Sequence, residues 1–406
     1  MGKTYIGKLP LGYEGDFGPK IKALTMILQN VANVSEPKIL ELLTNFEVNI
    51  SAGTISNILI KNKEMFHKEK DEIYKAGLES TCYQQIDDTG ARVNGENYFT
   101  QIICNPLYTA YFTTERKDRL TILDVLRNFR ERSFCFNDET FNLLKKFNMP
   151  KEIMAVIKKI DKDKDLTEVE IENLLNKYLP KIGKIHKTRI LESTAIASYH
   201  KKVEFPIVEL LLCDGAPQFK ILTDNLALCW LHDNRHYKKL NPIIPCNIKK
   251  LEDFQVEFWD YYRKLLDYKK SPSEKKALKL SEKFDKIFSI ETGYDKLDER
   301  ISKTKFKKVE MLMVLKYPEI PLHNNESELG ARAKVRRRDV SLQTKTKEGT
   351  KASDTFLTIV QTAKKLKVNA YKYIFDRVSK RYEFPSLANI IKAKKINIRG
   401  RIYAPC

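Results

Sequence analysis

The stretch Thr81–Thr113, TCYQQIDDTGARVNGENYFTQIICNPLYTAYFT, reads as three consecutive antiparallel strands. Cys82–Thr89 is rich in β-formers, and Gly90 and the turn Asn94-Gly95-Glu96-Asn97 interrupt it. Tyr98–Cys104 resumes the pattern, Asn105-Pro106 breaks it again, and Tyr108–Thr113 completes a meander. The first strand ends in two carboxylates, Asp87 and Asp88. Their apolar flanks predict a buried central strand, where an unpaired carboxylate is costly. A bound divalent cation removes that cost. Side-chain alternation turns only one of the two toward such an ion.

Working outward, 406 residues suffice for a full core and two or three structural units. No apolar run reaches the roughly 18–20 residues of a spanning helix, and the first residues lack the apolar segment of a signal peptide. A cytoplasmic, nucleoid-associated bacterial protein with no membrane partner is expected. The seven cysteines (82, 104, 135, 213, 229, 246 and 406) are odd in number and scattered, as expected of reduced core thiols. The formal net charge is +20, and Ala331–Cys406 carries 20 Lys and Arg against 5 Asp and Glu. That asymmetry favours a polyanionic partner, most simply nucleic acid. Phe356, Ile359, Val360, Ala363 and Leu366 recur at helical spacing there, so the basic region is folded.

Ahead of the meander, Ile21, Leu24, Ile27 and Leu28 mark one helix. Ser35 and Ser51 then stand as caps of two more, the outline of a helix-turn-helix. An amphipathic connector, Lys63–Leu78, leads into the sheet. Behind it, Arg116–Arg130 reads as a helix on the sheet, and 134–196 as a charged helical excursion. Asp161, Asp163, Asp165 and Glu172 have calcium-loop spacing, but Leu166 occupies the glycine position, so a solvated acidic helix start is the expectation. Ile207–Cys213 reads as a strand buried on both faces, ending at Asp214-Gly215, and Leu226–Trp230 as another. Lys238–Leu315 is a helical block, with Phe254, Phe258, Tyr262 and Leu265 on one face and Leu278, Phe284, Ile287 and Phe288 on another. In Pro321–Ser341, Asn324 or Asn325 caps a helix that pairs Glu328 with Arg332 at i, i+4 and continues into Lys334, Arg336, Arg337 and Arg338.

A three-strand meander, a helix, a parallel strand, a further strand and a final helix make a ribonuclease H-like order. The expected fold is therefore α/β: a ribonuclease H-like mixed sheet with a large all-helical insertion, preceded by a helix-turn-helix-like unit. The expected divisions are 1–79 for that unit, 80–232 with 317–380 for the catalytic domain (134–200 its helical excursion), 233–316 for the insertion and 381–406 for a basic C-terminal segment. Asp87, Asp214 and Glu328 offer the hard oxygen ligands that two-metal phosphodiester chemistry needs.

With these residues in place, the chain resembles the DDE transposases of the insertion-sequence-sixty-six (transposase C) type, from about Lys20 to Arg377. Asp87-Asp88-Thr89 is similar to the family's Asp-Glu-Thr, and Asp214-Gly215 to its second Asp-Gly. Cys229-Trp230-Leu231-His232 with Arg235 matches its Cys-Trp-x-His-x-x-Arg segment, and Asn324-Asn325-Glu326-Ser327-Glu328 its Asn-Asn-x-x-Glu. Gly349–Leu366, with Thr362-Ala363-Lys364, resembles its glycine turn and final helix. Leu329 stands where the family has arginine, and the zinc-finger and coiled-coil region that opens longer relatives has no counterpart.

The resemblance implies Asp87, Asp214 and Glu328 as catalytic metal ligands for two Mg²⁺ or Mn²⁺ ions. It makes Asp88, Cys229, His232, Asn325 and Arg332 supporting residues. Cys229, His232 and His236 also have zinc-compatible spacing, without an evident fourth ligand. Arg235, His236, Lys334, Arg336, Arg337 and Arg338 are expected to contact DNA phosphates. The expected partners are element ends and target DNA, a second subunit or more, and accessory transposition proteins. A ribonuclease H-like nuclease without strand transfer, and a transposase-derived DNA-binding protein, are the alternatives.

Overall fold

A computed structural model describes residues 10, 12–13, 16–160, 164–201 and 204–402. The meander forms as β1 (Tyr83–Val93), β2 (Glu96–Asn105) and β3 (Tyr108–Thr114). Gly90 does not end β1 but pairs with Phe99. The break falls at Asn94-Gly95, where φ is +49° and +84°. Two left-handed residues match the twist of a two-residue hairpin, and Asn and Gly are the residues that reach them with least strain.

β4 (Leu210–Cys213) lies parallel to β1, and β5 (Asn225–Leu228) parallel to β4, giving the order β3-β2-β1-β4-β5. All four residues of β4 are buried, as its unbroken apolar run requires of a central parallel strand. β5 is shorter than its apolar run. Cys229 caps a helix, its Sγ accepting the His232 N–H at 3.3 Å, and Trp230 begins that helix (Trp230–Lys238).

Alternation gives the sheet two faces. Ile86, Ile103, Ala110 and Phe112 join the main core, where Tyr74 of the helix Glu64–Leu78 meets Phe112 edge-on at 4.9 Å. The helix Arg119–Leu126 belongs to the same core; it is shorter than its apolar pattern, being capped by Asp118. On the other face Ile102, Tyr111, Ala331 and Leu357 form a second cluster under the helices Asn325–Ser341 and Lys347–Leu366.

The free edge of β3 is covered. The N–H groups of Thr113, Tyr111 and Thr109 donate to Asp354 Oδ2 (2.6 Å), Thr358 Oγ1 (3.1 Å) and Thr362 Oγ1 (3.2 Å). Four helical residues rise about 6 Å and two strand residues about 6.7 Å, so an i, i+4 ladder keeps step with alternate strand residues. An edge strand is thereby closed to pairing with another chain.

At the amino end the helices Glu36–Asn45 and Ala52–Ile60 form, and Ser51 caps the second by accepting the Thr54 N–H at 3.1 Å. Ser35 stands at the first N-cap without a side-chain bond. In Pro19–Asn30 the apolar stripe is only half-buried, and Ala23, Thr25 and Met26 are among the buried residues. The excursion contains the helices Asp138–Lys146, Lys151–Ile157, Glu168–Tyr178 and Lys184–Lys201. Asp161 and Asp163 of the calcium-loop spacing lie outside the described residues, as do 1–9 and 403–406 at the two ends. Leu166 is buried and Thr167 closes a capping box with Glu170, the acidic helix start expected there.

The helical block consists of Pro245–Lys270, Glu274–Ile287, Asp295–Lys305 and two single turns, Lys308–Met311 and Met313–Lys316. Trp230 is its hub, ringed by Phe258, Tyr261, Tyr262, Phe284 and Phe288. Leu278 was expected on the buried face but is 66% exposed, and Leu280 is buried instead. Cys104, Cys135, Cys213 and Cys229 are buried thiols, whereas Cys82 and Cys246 lie at the surface, contrary to expectation, and Cys406 is outside the described residues. Among the described residues no helix is long and apolar enough to cross a membrane.

Candidate active site

The parallel pair β1–β4 brings the first two acids together. Gln85 faces Leu212 in the ladder, and two residues further along the chain from each stand Asp87, within β1, and Asp214, just past the end of β4. Asp87 pairs with Ile102 and so shares the face covered by the helix Asn325–Ser341. That helix lies close because residue 330 is glycine: a Cβ there would meet Ile102 Cγ2 at 2.8 Å. The Tyr111 hydroxyl donates to the Gly330 carbonyl at 3.0 Å and fixes the approach. Of the two acids in the first turn, Glu326 turns to Lys365 (2.8 Å) and Glu328 to Arg235 (2.9 Å).

The electrostatics mark Asp87 as the centre of the group. Burial first pushes its carboxyl up to about 7; Asp214, Asp88 and Glu328 add to this, and the Asp88 N–H opposes it. Each acid has one bonded oxygen. Asp87 Oδ1 accepts the Asp88 N–H (2.8 Å), Asp214 Oδ1 the Ala216 N–H (2.9 Å) and Glu328 Oε2 the Arg235 guanidinium (2.9 Å). Three further carboxylate oxygens remain for a cation. A hard-oxygen donor set around a carboxyl that holds its proton too firmly fits a divalent ion such as Mg²⁺ or Mn²⁺. The set is open: among the described residues, the three potential ligand atoms that come within 4.8 Å of one another belong to a different group, Glu139, His200 and Asp224.

Asp88 lies on the opposite face. It pairs with Gln101 across the ladder, accepts from Gln218 Nε2 at 2.8 Å and meets Lys117 at 3.2 Å. The segment after Asp214 is thus tied back to β1. Arg119 braces it further, donating to the carbonyls of Pro217 (2.8 Å) and Lys220 (3.0 Å) and pairing with Glu192. Gln218 and Arg119 carry no motif and were not legible as site residues.

The helix Trp230–Lys238 has two faces with different tasks. Trp230, Asp233 and Tyr237 are buried in the helical block, where Asp233 pairs with Arg300. His232 and Arg235 turn toward the carboxylates. Burial, then Arg235, lowers the His232 pKa against the pull of Asp214 and Glu328, which keeps the ring neutral near pH 7. His236 packs edge-on against His232, with ring centres 5.2 Å apart. Cys229 Sγ caps the helix, and the three are not brought together as a zinc set among the described residues.

Asn325 is half-buried in the first turn, its backbone N–H donating to His323 Nδ1 at 3.4 Å. Its neighbour Asn324 is fully buried, and neither side-chain atom has a partner. The amides of Gln85 and Gln101, beside Asp87 and Asp88 in the sheet, are equally buried and unbonded. Unbonded buried amides of this kind call for an explanation such as an ordered water or ion.

Two expectations need correction. Glu328 pairs with Arg235 and not Arg332, which is exposed. The basic run is also not one phosphate-facing surface. Lys334 is buried and bonded to Asp354 (3.0 Å), Arg337 is buried and bonded to Asn30 and Gln29, and Arg338 donates to the Gly90 carbonyl. Arg336 is the exposed member of the four, because the helix turns the others to the sheet or the amino-terminal helix.

No family model matches the sequence. A relative does: over 304 residues the chain is 32% identical to the uncharacterized protein y4jO of Sinorhizobium fredii, covering 75% of this chain and 94% of that protein. The aligned length and the near-complete coverage of the relative mean that this chain belongs to the family of that protein.

Proposed function

We propose that this chain is a DDE transposase with a ribonuclease H-like catalytic core. One observation carries the reading: Asp214, just past the end of the parallel strand β4, and Glu328, on the helix closing over β1, gather around the half-buried carboxyl of Asp87 in β1, which is raised to about 7. The strand order β3-β2-β1-β4-β5, with the first three antiparallel, supports the same reading.

The reaction is two in-line transfers at phosphorus. Water attacks a phosphodiester at the element's end, the P–O3′ bond breaks and a 3′-hydroxyl leaves. That hydroxyl then attacks a target phosphodiester, and the target's own 3′-oxygen leaves with a proton. When bound, two Mg²⁺ or Mn²⁺ ions supply the Lewis acidity that activates the attacking oxygen and stabilises the departing one.

The chain's own residues prepare this. Asp87, Asp214 and Glu328 offer their unbonded oxygens as ligands. Arg235 holds Glu328 in its rotamer and, half-exposed, offers its remaining N–H groups to a DNA phosphate. His232, neutral between Asp214 and Glu328, can take a proton. Arg332 and Arg336 offer exposed positive groups for the backbone, and His236, whose pKa burial lowers, offers an uncharged hydrogen-bonding ring beside them. Pairing two element ends requires at least a dimer, and accessory proteins belong to the same proposal. The test is divalent-ion-dependent nicking of DNA, lost in Asp214→Asn while DNA binding persists; nicking that survives the substitution rejects the site.

A further inference from the structure

The group Glu139, His200 and Asp224 lies outside the candidate active site, and its atoms pose a charge problem. Glu139 is in the first turn of the helix Asp138–Lys146, His200 near the end of Lys184–Lys201, and Asp224 directly precedes β5. One ligand atom from each lies within 4.8 Å of the other two. His200 Nε2 is 3.0 Å from the Leu222 carbonyl, and Nδ1 meets a Glu139 carboxylate oxygen. A carbonyl only accepts, so Nε2 carries the proton, and a neutral ring then turns a lone pair at Nδ1 toward Glu139. A lone pair and two carboxylates so close together call for a cation, either a second proton on the ring, which Glu139 and Asp224 both favour, or a metal ion.

We propose that Glu139, His200 and Asp224 form a zinc site. One imidazole nitrogen with two carboxylate oxygens is a three-ligand zinc set that leaves a fourth position for water; a nitrogen donor disfavours Mg²⁺. The Leu222 carbonyl does what an outer partner does at such sites, holding the second N–H so that the other nitrogen faces the metal. A proton on Nδ1 bonds Glu139 and gives Asp224 only a nearby charge, whereas a metal ion gives Asp224 a bond as well. The three ligands come from three segments, and the ion would clamp the helices 138–146 and 184–201 to the chain entering β5. That chain continues from Asp214 through the turn braced by Arg119, so the clamp steadies the segment behind the second acid. The inference does not rest on the transposase reading.

The test uses the full chain carrying Asp87→Asn and Asp214→Asn, so that zinc cannot report on those acids. After chelator treatment, Zn²⁺ is titrated by calorimetry at pH 7.5. The expected result is uptake of about one ion per chain, weakened ~10-fold or more by His200→Gln and by Asp224→Asn, with Zn²⁺ raising Tm only when all three ligands are intact. Asp224 is exposed, so its substitution leaves the fold in place. No uptake, or affinity unchanged in Asp224→Asn and His200→Gln, overturns the proposal and leaves His200 as an imidazolium paired with Glu139.

Discussion

The Arg235 guanidinium donates to Glu328 Oε2 at 2.9 Å, linking the helix after β5 to the helix that closes over β1. The pair is 93 residues apart in sequence and joins two elements that the helical block separates. Arg235 is 48% exposed, so the bond adds little stability, about 0–1 kcal/mol, and its role is to hold a rotamer. Arg235→Ala is expected to leave Tm nearly unchanged and to slow DNA cleavage ~10–100-fold at saturating DNA. Single-turnover rates beside binding isotherms check this: equal losses in both would make Arg235 a phosphate contact only.

Asp87 titrates in the wrong place for a surface acid, and the consequence has a definite sign. Its carboxyl is raised from 3.8 to about 7, so the folded chain holds this proton more firmly than the unfolded one. The group's stabilising contribution is complete below about pH 4 and is lost as pH rises through 7. Asp87→Asn should therefore stabilise the metal-free chain at pH 8 by ~2–4 kcal/mol, and hardly at all at pH 4, while abolishing cleavage. Mg²⁺ should raise the Tm of the wild-type chain at pH 8 but not that of the variant. Denaturant melts at both pH values decide it; equal effects at pH 4 and pH 8 would refute the burial argument.

Lys334 and Arg336 stand two residues apart and should behave in opposite ways. Asp354 accepts from Lys334 Nζ (3.0 Å), the Thr113 N–H (2.6 Å) and the Thr113 hydroxyl (2.9 Å), all within the fold. Asp354→Ala leaves a buried ammonium without its partner and is expected to cost about 3–5 kcal/mol in chemical denaturation. Arg336→Ala should change stability by less than ~0.5 kcal/mol. It should weaken DNA binding evenly across sequences and reduce the salt slope by about one. Fluorescence anisotropy over a salt series reads the second effect.

Gly330 sets the height of the glutamate helix above the sheet. An alanine Cβ would stand 2.8 Å from Ile102 Cγ2 and 3.3 Å from Thr109 Cγ2, so the helix must lift. Gly330→Ala is expected to cost ~1–3 kcal/mol and to reduce cleavage by moving Glu328, with DNA affinity retained. Full activity in a destabilised variant would show that the site tolerates the displacement.

The meander was legible because Asn94-Gly95 and strict alternation are local signals, and Asp87 followed from an acid in a buried strand. Gly90 misled because an isolated glycine in an exposed stretch of strand weakens pairing without ending it. Trp230 extended the apolar run of β5, yet its burial is against the helical block, and a short apolar run does not tell strand from helix start. Lys334 and Arg337 read as surface charge because spacing alone does not show which way a helix faces; burial of an amine beside Asp354 is settled by tertiary contact. The ladder Asp354, Thr358 and Thr362 shows in the sequence only as polar residues every four positions in a helix, and the edge strand it bonds to gives that spacing its meaning. Gln218 and Arg119 reach the site only through folding and left no mark in the sequence.

The measurement closest to the central claim joins the three acids to strand transfer. The purified chain is incubated with Mg²⁺ or Mn²⁺, target DNA and a duplex carrying the end of its encoding element, beside Asp87→Ala, Asp214→Ala and Glu328→Ala. The account predicts joined products with the wild-type chain, none with any of the three variants, and DNA binding in all four. Joined products that persist in any variant would contradict the triad, and binding without cleavage in the wild-type chain would contradict the enzyme.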